Sequence, residues 1–400
     1  KIRLVSTDDI ALEAISHIVL NLDRKYSFLR KVAEKAYRIS SRGTEEQWLS
    51  LLKGLLMPSA GESIKDLELS AKTFNQSYEE FVNTLNRSMY ETCQEFASDK
   101  MGEDFIKNAV DSFIDVMAKG LSKDVVNNML NMFVEEPKTI RVLEFCKIFF
   151  IPTSYAIARA DGDNIGYMIR GETITYEKYL EKLKTIIIKN ALEYSIEKGI
   201  ISKDIYQQVV DVVKDSFDLM KDIFKDLGFK YIPVSPARTA LISLSLIVSA
   251  IRDLNIVRDG YGVTIFSGGD DILALLPPQS ALRTVIELRK SFSDKYFTDV
   301  GNIVIPTIPT GRSVSVRFSN LMDLMNLEFE KSLELLENVA KESRWSFSGV
   351  VYTKDTLIVS DSRSGVFSLL PLHRDKRHLN EVALLLSILT SLGILSPGTP

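Results

Sequence analysis

From Lys1 to about Pro152, apolar residues recur at three- and four-residue steps, as in Ile10, Ile15, Ile18 and Val19 and again in Phe105, Val110, Phe113, Ile114 and Met117. That period predicts helices. Thr44 with Gln47 and Ser77 with Glu80 hold capping-box spacing and mark two helix starts, while Pro58-Ser59-Ala60-Gly61 and Glu136-Pro137 mark breaks. Trp48, Cys93, Cys146 and the Phe and Met stripes read as core.

Beyond Pro152 the pattern changes. Tyr155-Ala156-Ile157-Ala158 predicts a strand, Thr175 caps an amphipathic helix toward Lys198, and a second helix from Lys203 to Leu227 ends at Gly228. Pro236 opens a helix to Leu254 whose Ala240, Leu241, Leu244, Ile247, Val248 and Ile251 form an apolar stripe suited to lying on a sheet. Tyr261 to Phe266 and Ile272 to Pro277 are β-rich runs on either side of Gly268-Gly269-Asp270-Asp271, a tight hairpin. A helix from Gln279 to Phe292, a strand from Ser313 to Arg317, a helix from Asn326 to Glu342 and a β-like run from Phe347 to Tyr352 complete the pattern. The order is β-α-β-β-α-β, ferredoxin-like, with helices inserted between the first and second strands, and it sets the first strand beside the hairpin. The expected fold class is α/β (α+β): a helical domain over 1–152, a ferredoxin-like domain over 153–355 and a partly helical C-terminal segment over 356–400.

Composition narrows the classes. Over 400 residues, 45% hydrophobic and 26% charged is globular composition, which excludes a disordered chain. A net charge of −4 gives no global basic footprint, so nucleic-acid contact has to come from a local patch or from partner subunits. Two cysteines without a Cys-x-x-Cys pair and three histidines argue against a zinc site or a disulfide framework and fit a reducing, cytoplasmic compartment. No signal peptide and no run long enough to cross a bilayer is read, so no membrane partner is expected. A start at Lys1 without methionine suggests a fragment.

The candidate chemistry sits at the hairpin tip, where Asp270 and Asp271 are adjacent carboxylates that repel one another. A divalent cation removes that conflict, and glycines at Gly268 and Gly269 let a phosphate approach the backbone. Asp161-Gly162-Asp163-Asn164-Ile165-Gly166, directly after the first strand, supplies a second acidic site, and the two together are more specific than either alone.

These motifs, with Ser235-Pro236-Ala237-Arg238 between them and Ile272-Leu273-Ala274-Leu275-Leu276-Pro277 after the tip, resemble the palm domain of the large subunit of type III CRISPR effector complexes. The resemblance covers roughly Tyr155 to Tyr352. It implies a nucleotidyltransferase that makes cyclic oligoadenylate from ATP, with Mg²⁺ (or Mn²⁺) on Asp161, Asp163, Asp270 and Asp271, in a complex of other effector subunits, CRISPR RNA and target RNA. Within it Asp161, Asp270 and Asp271 would be catalytic. Gly162, Asp163, Asn164, Ser235, Arg238, Gly268, Gly269 and Lys341 would surround the nucleotide. Asp163 either binds metal or orders its turn; Ser235 either frames the base or ribose or caps its helix; Lys341 either meets the triphosphate or complements a helix dipole. Val314-Ser315-Val316-Arg317 departs from the family's small-residue run on the strand after the hairpin. The family also carries an N-terminal His-Asp nuclease domain and a first palm, neither of which is recognised here. Diguanylate cyclases share the palm but carry Gly-Gly-Asp/Glu-Glu-Phe, where this chain has Asp271 and Ile272 in the last two places. A diguanylate-type cyclase and a structural subunit with a silent palm are the alternatives.

Overall fold

The computed structural model describes residues 7–56, 67–98, 102–118, 145–172, 175–197, 199–200, 202–231, 234–293, 297–300, 303–306, 308, 310–373, 379 and 382–384. The breaks expected at 58–61 and 136–137 lie outside the described residues. Helices α1 (Thr7–Tyr26), α2 (Phe28–Ser40), α3 (Glu45–Leu56), α4 (Leu67–Thr73), α5 (Tyr78–Ser98) and α6 (Gly102–Ala118) precede strand β1 (Ser154–Gly162). Then come α7 (Ile165–Ile169), α8 (Tyr176–Ile186) running through a π turn (Ile187–Leu192) into α9 (Glu193–Glu197), α10 (Lys203–Asp226) and α11 (Pro236–Asp259). The rest comprises β2 (Val263–Ser267), β3 (Ile272–Leu276), α12 (Pro278–Ser293), β4 (Phe297–Val300), β5 (Ile303–Pro306), β6 (Arg312–Asn320), α13 (Met325–Leu335), β7 (Arg344–Phe347), β8 (Val350–Thr353), β9 (Thr356–Asp361) and β10 (Phe367–Pro371).

The chain forms two compact units. One takes residues 1–163, 247–296 and 311–400, the other 164–246 and 297–310. In the first, Thr44 and Ser77 cap as their spacing predicts, each hydroxyl accepting from a backbone N–H at 3.2 Å. Trp48 is fully buried against Phe74 and Phe81, and Phe105 is fully buried against Tyr26, Phe28, Phe96 and Phe149. Truncating either ring to alanine costs about 3–5 kcal/mol of stability.

The palm sheet has the order β10-β9-β6-β1-β3-β2. Strand β1 lies between β3 and β6, antiparallel to both, with Ala160 opposite Ile272 and Asp161 opposite Ser313. The strands β1, β2, β3 and β6 with helices α11 and α12 make the expected β-α-β-β-α-β set. The fifth place is corrected: among the described residues Arg344–Phe347 and Val350–Thr353 pair with each other alone, and β9 lies parallel beside β6 instead. Within that hairpin the Phe347 ring stacks with Trp345 and meets Tyr352 edge-on.

Three further expectations are corrected. Leu241, Leu244, Ile247 and Ile251 are exposed, because α11 buries the line Ser245, Ser249, Asp253 and Val257. The sheet face that packs Val257 is lined by Ala156, Ala158, Ala160 and Ala274, small residues that admit a close helix with small side chains on its inner face. That helix is also long and apolar enough to cross a membrane by length and composition, where no such run was expected. Its buried Asp253 belongs to the palm interior. Cys93 and Cys146 are joined in a disulfide, with Cα atoms 5.6 Å apart across a separation of 53 residues. Packing of α5 on the 3₁₀ turn Cys146–Phe149 brings them together, which spacing along the chain does not reveal.

In the second unit α8 and α10 bury Tyr176, Leu180 and Phe217 between them. Thr175 caps α8 and Gly228 takes a left-handed φ of 72°, both as expected; the hairpin β4–β5 was not anticipated.

Candidate active site

Asp161 is the penultimate residue of β1 and Asp270 and Asp271 form the tip between β2 and β3, so the β1–β3 pairing carries all three to one end of the sheet. Each offers a carboxylate oxygen within 4.8 Å of the others. The tip is shaped by its glycines. Gly269 has φ of 103°, and a Cβ on Gly268 would lie 2.6 Å from the Phe266 ring. The Gly268 N–H closes the turn on the Asp271 carbonyl at 2.9 Å.

Lost hydration, then the charges of Asp161 and Asp270, push the Asp271 carboxyl up to about 6. Asp270 is raised as well, by burial first and by the Asp161 charge. Lys341 is the cation on the cluster: its Nζ contacts Asp161 Oδ2 and lies 2.8 Å from Glu337 Oε1. Burial alone would lower its pKa, but the bonds to these two carboxylates outweigh it and raise it. Three hard oxygen donors converging with one ammonium beside them fit a divalent cation, which takes such ligands and relieves their repulsion.

The other expected site residues divide. Gly162 lies within β1 opposite Arg312. Asp163 stands apart from the triad, buried, with Oδ1 accepting from Ser313 Oγ at 2.8 Å and Oδ2 from the Asp355 N–H at 2.9 Å. Of its two expected roles this geometry serves turn ordering, and the carboxylates that converge within 4.8 Å are Asp161, Asp270 and Asp271. Burial, then the Asp355 charge, push its carboxyl up to about 6. Asn164, at φ of 60°, precedes α7 in the second unit. Ser235 Oγ accepts from the Arg238 N–H at 3.2 Å, the capping alternative, while the Arg238 guanidinium donates to the Met168 and Ile169 carbonyls at 2.6 and 3.3 Å.

Sequence reasoning missed the residues behind and beside the triad. Arg312 and Asp253 form an ion pair of 2.7 Å with neither side chain exposed, and Arg289 pairs with Asp355 under the Asp163 turn. Arg159 shares the Asp161 face of β1, and its Nε is buried without a hydrogen-bond partner. A charged residue inside the apolar run of α11 was the one available signal for Asp253.

Residues 209–346 match the family described as Cas10/Cmr2, second palm domain. That span contains Asp270, Asp271, Arg312 and Lys341; Asp161 precedes it and joins them through the sheet. The chain is 26% identical over 308 residues to the CRISPR system Cmr subunit Cmr2 of Pyrococcus furiosus, covering 74% of this chain and 28% of that protein. It is 23% identical over 301 residues to the corresponding subunit of Saccharolobus solfataricus, covering 59% of this chain and 29% of that protein. Two cryo-EM structures of a Type III-B Cmr-beta complex are also similar. The apo state has 19% identity and a TM-score of 0.42, covering 88% of this chain and 41% of that one; the state bound to cognate target RNA has 22% and 0.41, covering 82% and 38%. Over residues 209–346 the chain is thus similar to the Cas10/Cmr2 second palm domain and, more widely, to the Cmr2 subunit of CRISPR systems, and it spans under a third of the curated relatives' length.

Proposed function

We propose that this palm, with residues 153–355 extended by β9 and β10, joins ATP into cyclic oligoadenylate inside a cytoplasmic type III effector carrying CRISPR RNA, when target RNA is captured. The observation that supports it most is the convergence of Asp161, Asp270 and Asp271 within 4.8 Å beside Lys341, in a domain of the Cas10/Cmr2 palm family.

Asp161, Asp270 and Asp271 would hold Mg²⁺ or Mn²⁺, which when bound supplies charge neutralisation at the reacting phosphate and a more acidic ribose hydroxyl. Lys341 sits where an anionic phosphate can take over its ammonium from Asp161, so it binds and orients rather than reacts. Asp163 holds the turn after β1 to Asp355, the residue before β9, through the Asp355 N–H and so keeps the Asp161 end of the strand in place. The ribose hydroxyl would lose its proton to solvent as its oxygen bonds to the α-phosphorus, and the bond from that phosphorus to the α,β-bridging oxygen would break, releasing pyrophosphate.

The test is incubation of the assembled complex with labelled ATP, Mg²⁺ and target RNA. Ring-sized adenylate products support the reading. A cyclic guanine dinucleotide made preferentially from GTP favours the diguanylate class, and no product from either nucleotide favours a silent palm.

A further inference from the structure

Arg312 opens β6 with its backbone opposite Gly162, the residue after Asp161, on one side of the pairing. Its side chain lies on the opposite sheet face from Asp161, the face covered by α11 and α12, since it shares the Ala158 and Ala160 side of the register. There the guanidinium meets Asp253 Oδ2 at 2.7 Å, stacks 4.7 Å above the Phe292 ring, and donates from Nε and Nη2 to the backbone carbonyl of Asp270 at 3.1 and 2.8 Å. Both charged side chains are 0% exposed.

One residue thus touches both halves of the triad without touching the space in front of it. Its main chain pairs with the end of the strand that carries Asp161, and its side chain grips the turn that carries Asp270 and Asp271. A hairpin turn closed by a single Gly268 to Asp271 backbone bond would otherwise be free to rock about its glycines. A buried ion pair is a weak source of stability, because desolvation offsets most of its attraction, so stability alone gives little reason for this pair.

We propose that Arg312, anchored by Asp253, is a positioning residue that fixes the Asp270 carbonyl and so holds the Asp270 and Asp271 carboxylates at the distance from Asp161 that a shared divalent cation needs. The inference rests on the reading of the triad as a metal centre. Lysine cannot replace it fully, since its ammonium is a point charge without the planar fork that serves Asp253 and the carbonyl together.

The test is Mn²⁺ titration of the full chain by electron paramagnetic resonance, with thermal midpoints measured in parallel. Asp161→Asn reports whether the triad binds metal at all. The paired swap Arg312→Met with Asp253→Leu removes the grip without leaving an unpaired buried charge. The control is Arg317→Met with Glu328→Leu, which removes another buried ion pair, of 2.5 Å, from the same strand but away from the triad. The expected result is Mn²⁺ affinity weakened about tenfold or more in the Arg312 swap, as for other residues that orient ligands, and unchanged in the Arg317 swap. A folded Arg312 swap with wild-type affinity overturns the proposal, as does equal weakening in both swaps. Should the Arg312 swap not fold, Arg312→Lys decides: several-fold weaker binding at a near-native midpoint supports the proposal and wild-type binding overturns it. Equal binding by the wild type and Asp161→Asn overturns the metal reading itself, and this inference with it.

Discussion

The ammonium of Lys341 rests on the carboxylate of Asp161, 180 residues away in the chain, and its second bond goes to Glu337. A cation so placed offsets part of the cluster's negative charge and is available to an incoming triphosphate. Lys341→Met should raise the KM for ATP of the assembled complex about tenfold, the scale of a lost charge-assisted hydrogen bond, with a smaller change in kcat. Initial rates against ATP concentration check this; an unchanged KM would reduce Lys341 to a helix-end cation.

Asp270→Ala with Asp271→Ala should abolish product while leaving the metal-free thermal midpoint equal or higher, because these carboxylates repel one another. Wild-type turnover at matched stability would make the hairpin only a turn.

The triad should also leave a mark on stability against pH. Asp271 titrates at about 6 in the folded chain against an ordinary 3.8, so the native state binds the extra proton between those values. Stability from this group is therefore present at low pH and is lost as pH rises through about 6. Asp163 titrates in the same window, so the comparison that isolates Asp271 is with Asp271→Asn. In EDTA the variant should gain on the wild type between pH 4 and pH 7, and Mg²⁺ should narrow the gap. A difference independent of pH would contradict the shift.

Much of this was legible in the sequence. The apolar run before Asp161, the Gly-Gly turn and the adjacent aspartates each have local signatures, and the β-α-β-β-α-β order followed from them. Arg312 and Asp253 have none as a pair: the charge of Asp253 inside the apolar run of α11 is the one local hint, and only the packing of α11 behind the sheet joins it to Arg312. The exposed stripe of α11 was misread for a related reason, since hydrophobic period marks a helix but not which face the alanine-lined sheet accepts. Cys93 and Cys146 show the same limit, being joined by tertiary packing over 53 residues.

That bridge gives a separate prediction. Closing a loop of 53 residues stabilises by about 4 kcal/mol in the chain-entropy account. Cys93→Ser should lower the thermal midpoint under oxidising conditions and change it little in reductant; equal midpoints in both would mean the two sulfurs are not bonded in solution.

Base choice is a separate test. Ser235 caps its helix through the Arg238 N–H, so Ser235→Ala should cost about 1 kcal/mol of stability and lower turnover less than loss of Asp270 does. The complete complex should use ATP over GTP, since metal and phosphate contacts do not distinguish bases and a pocket that pairs with the adenine amine leaves guanine unmatched. Competition between the labelled nucleotides, with products resolved by size, reads both.

Every step proposed for this palm depends on Asp161, Asp270 and Asp271 forming one metal centre. Crystals of the full chain grown with Mn²⁺ and a non-reacting ATP analogue, measured by anomalous diffraction at the manganese edge, would locate the ions themselves. Ions about 3.5–4 Å apart, as in two-metal sites, are expected, contacting Asp161 and at least one of Asp270 and Asp271. Manganese bound elsewhere on the chain with none at this triad would contradict the metal centre.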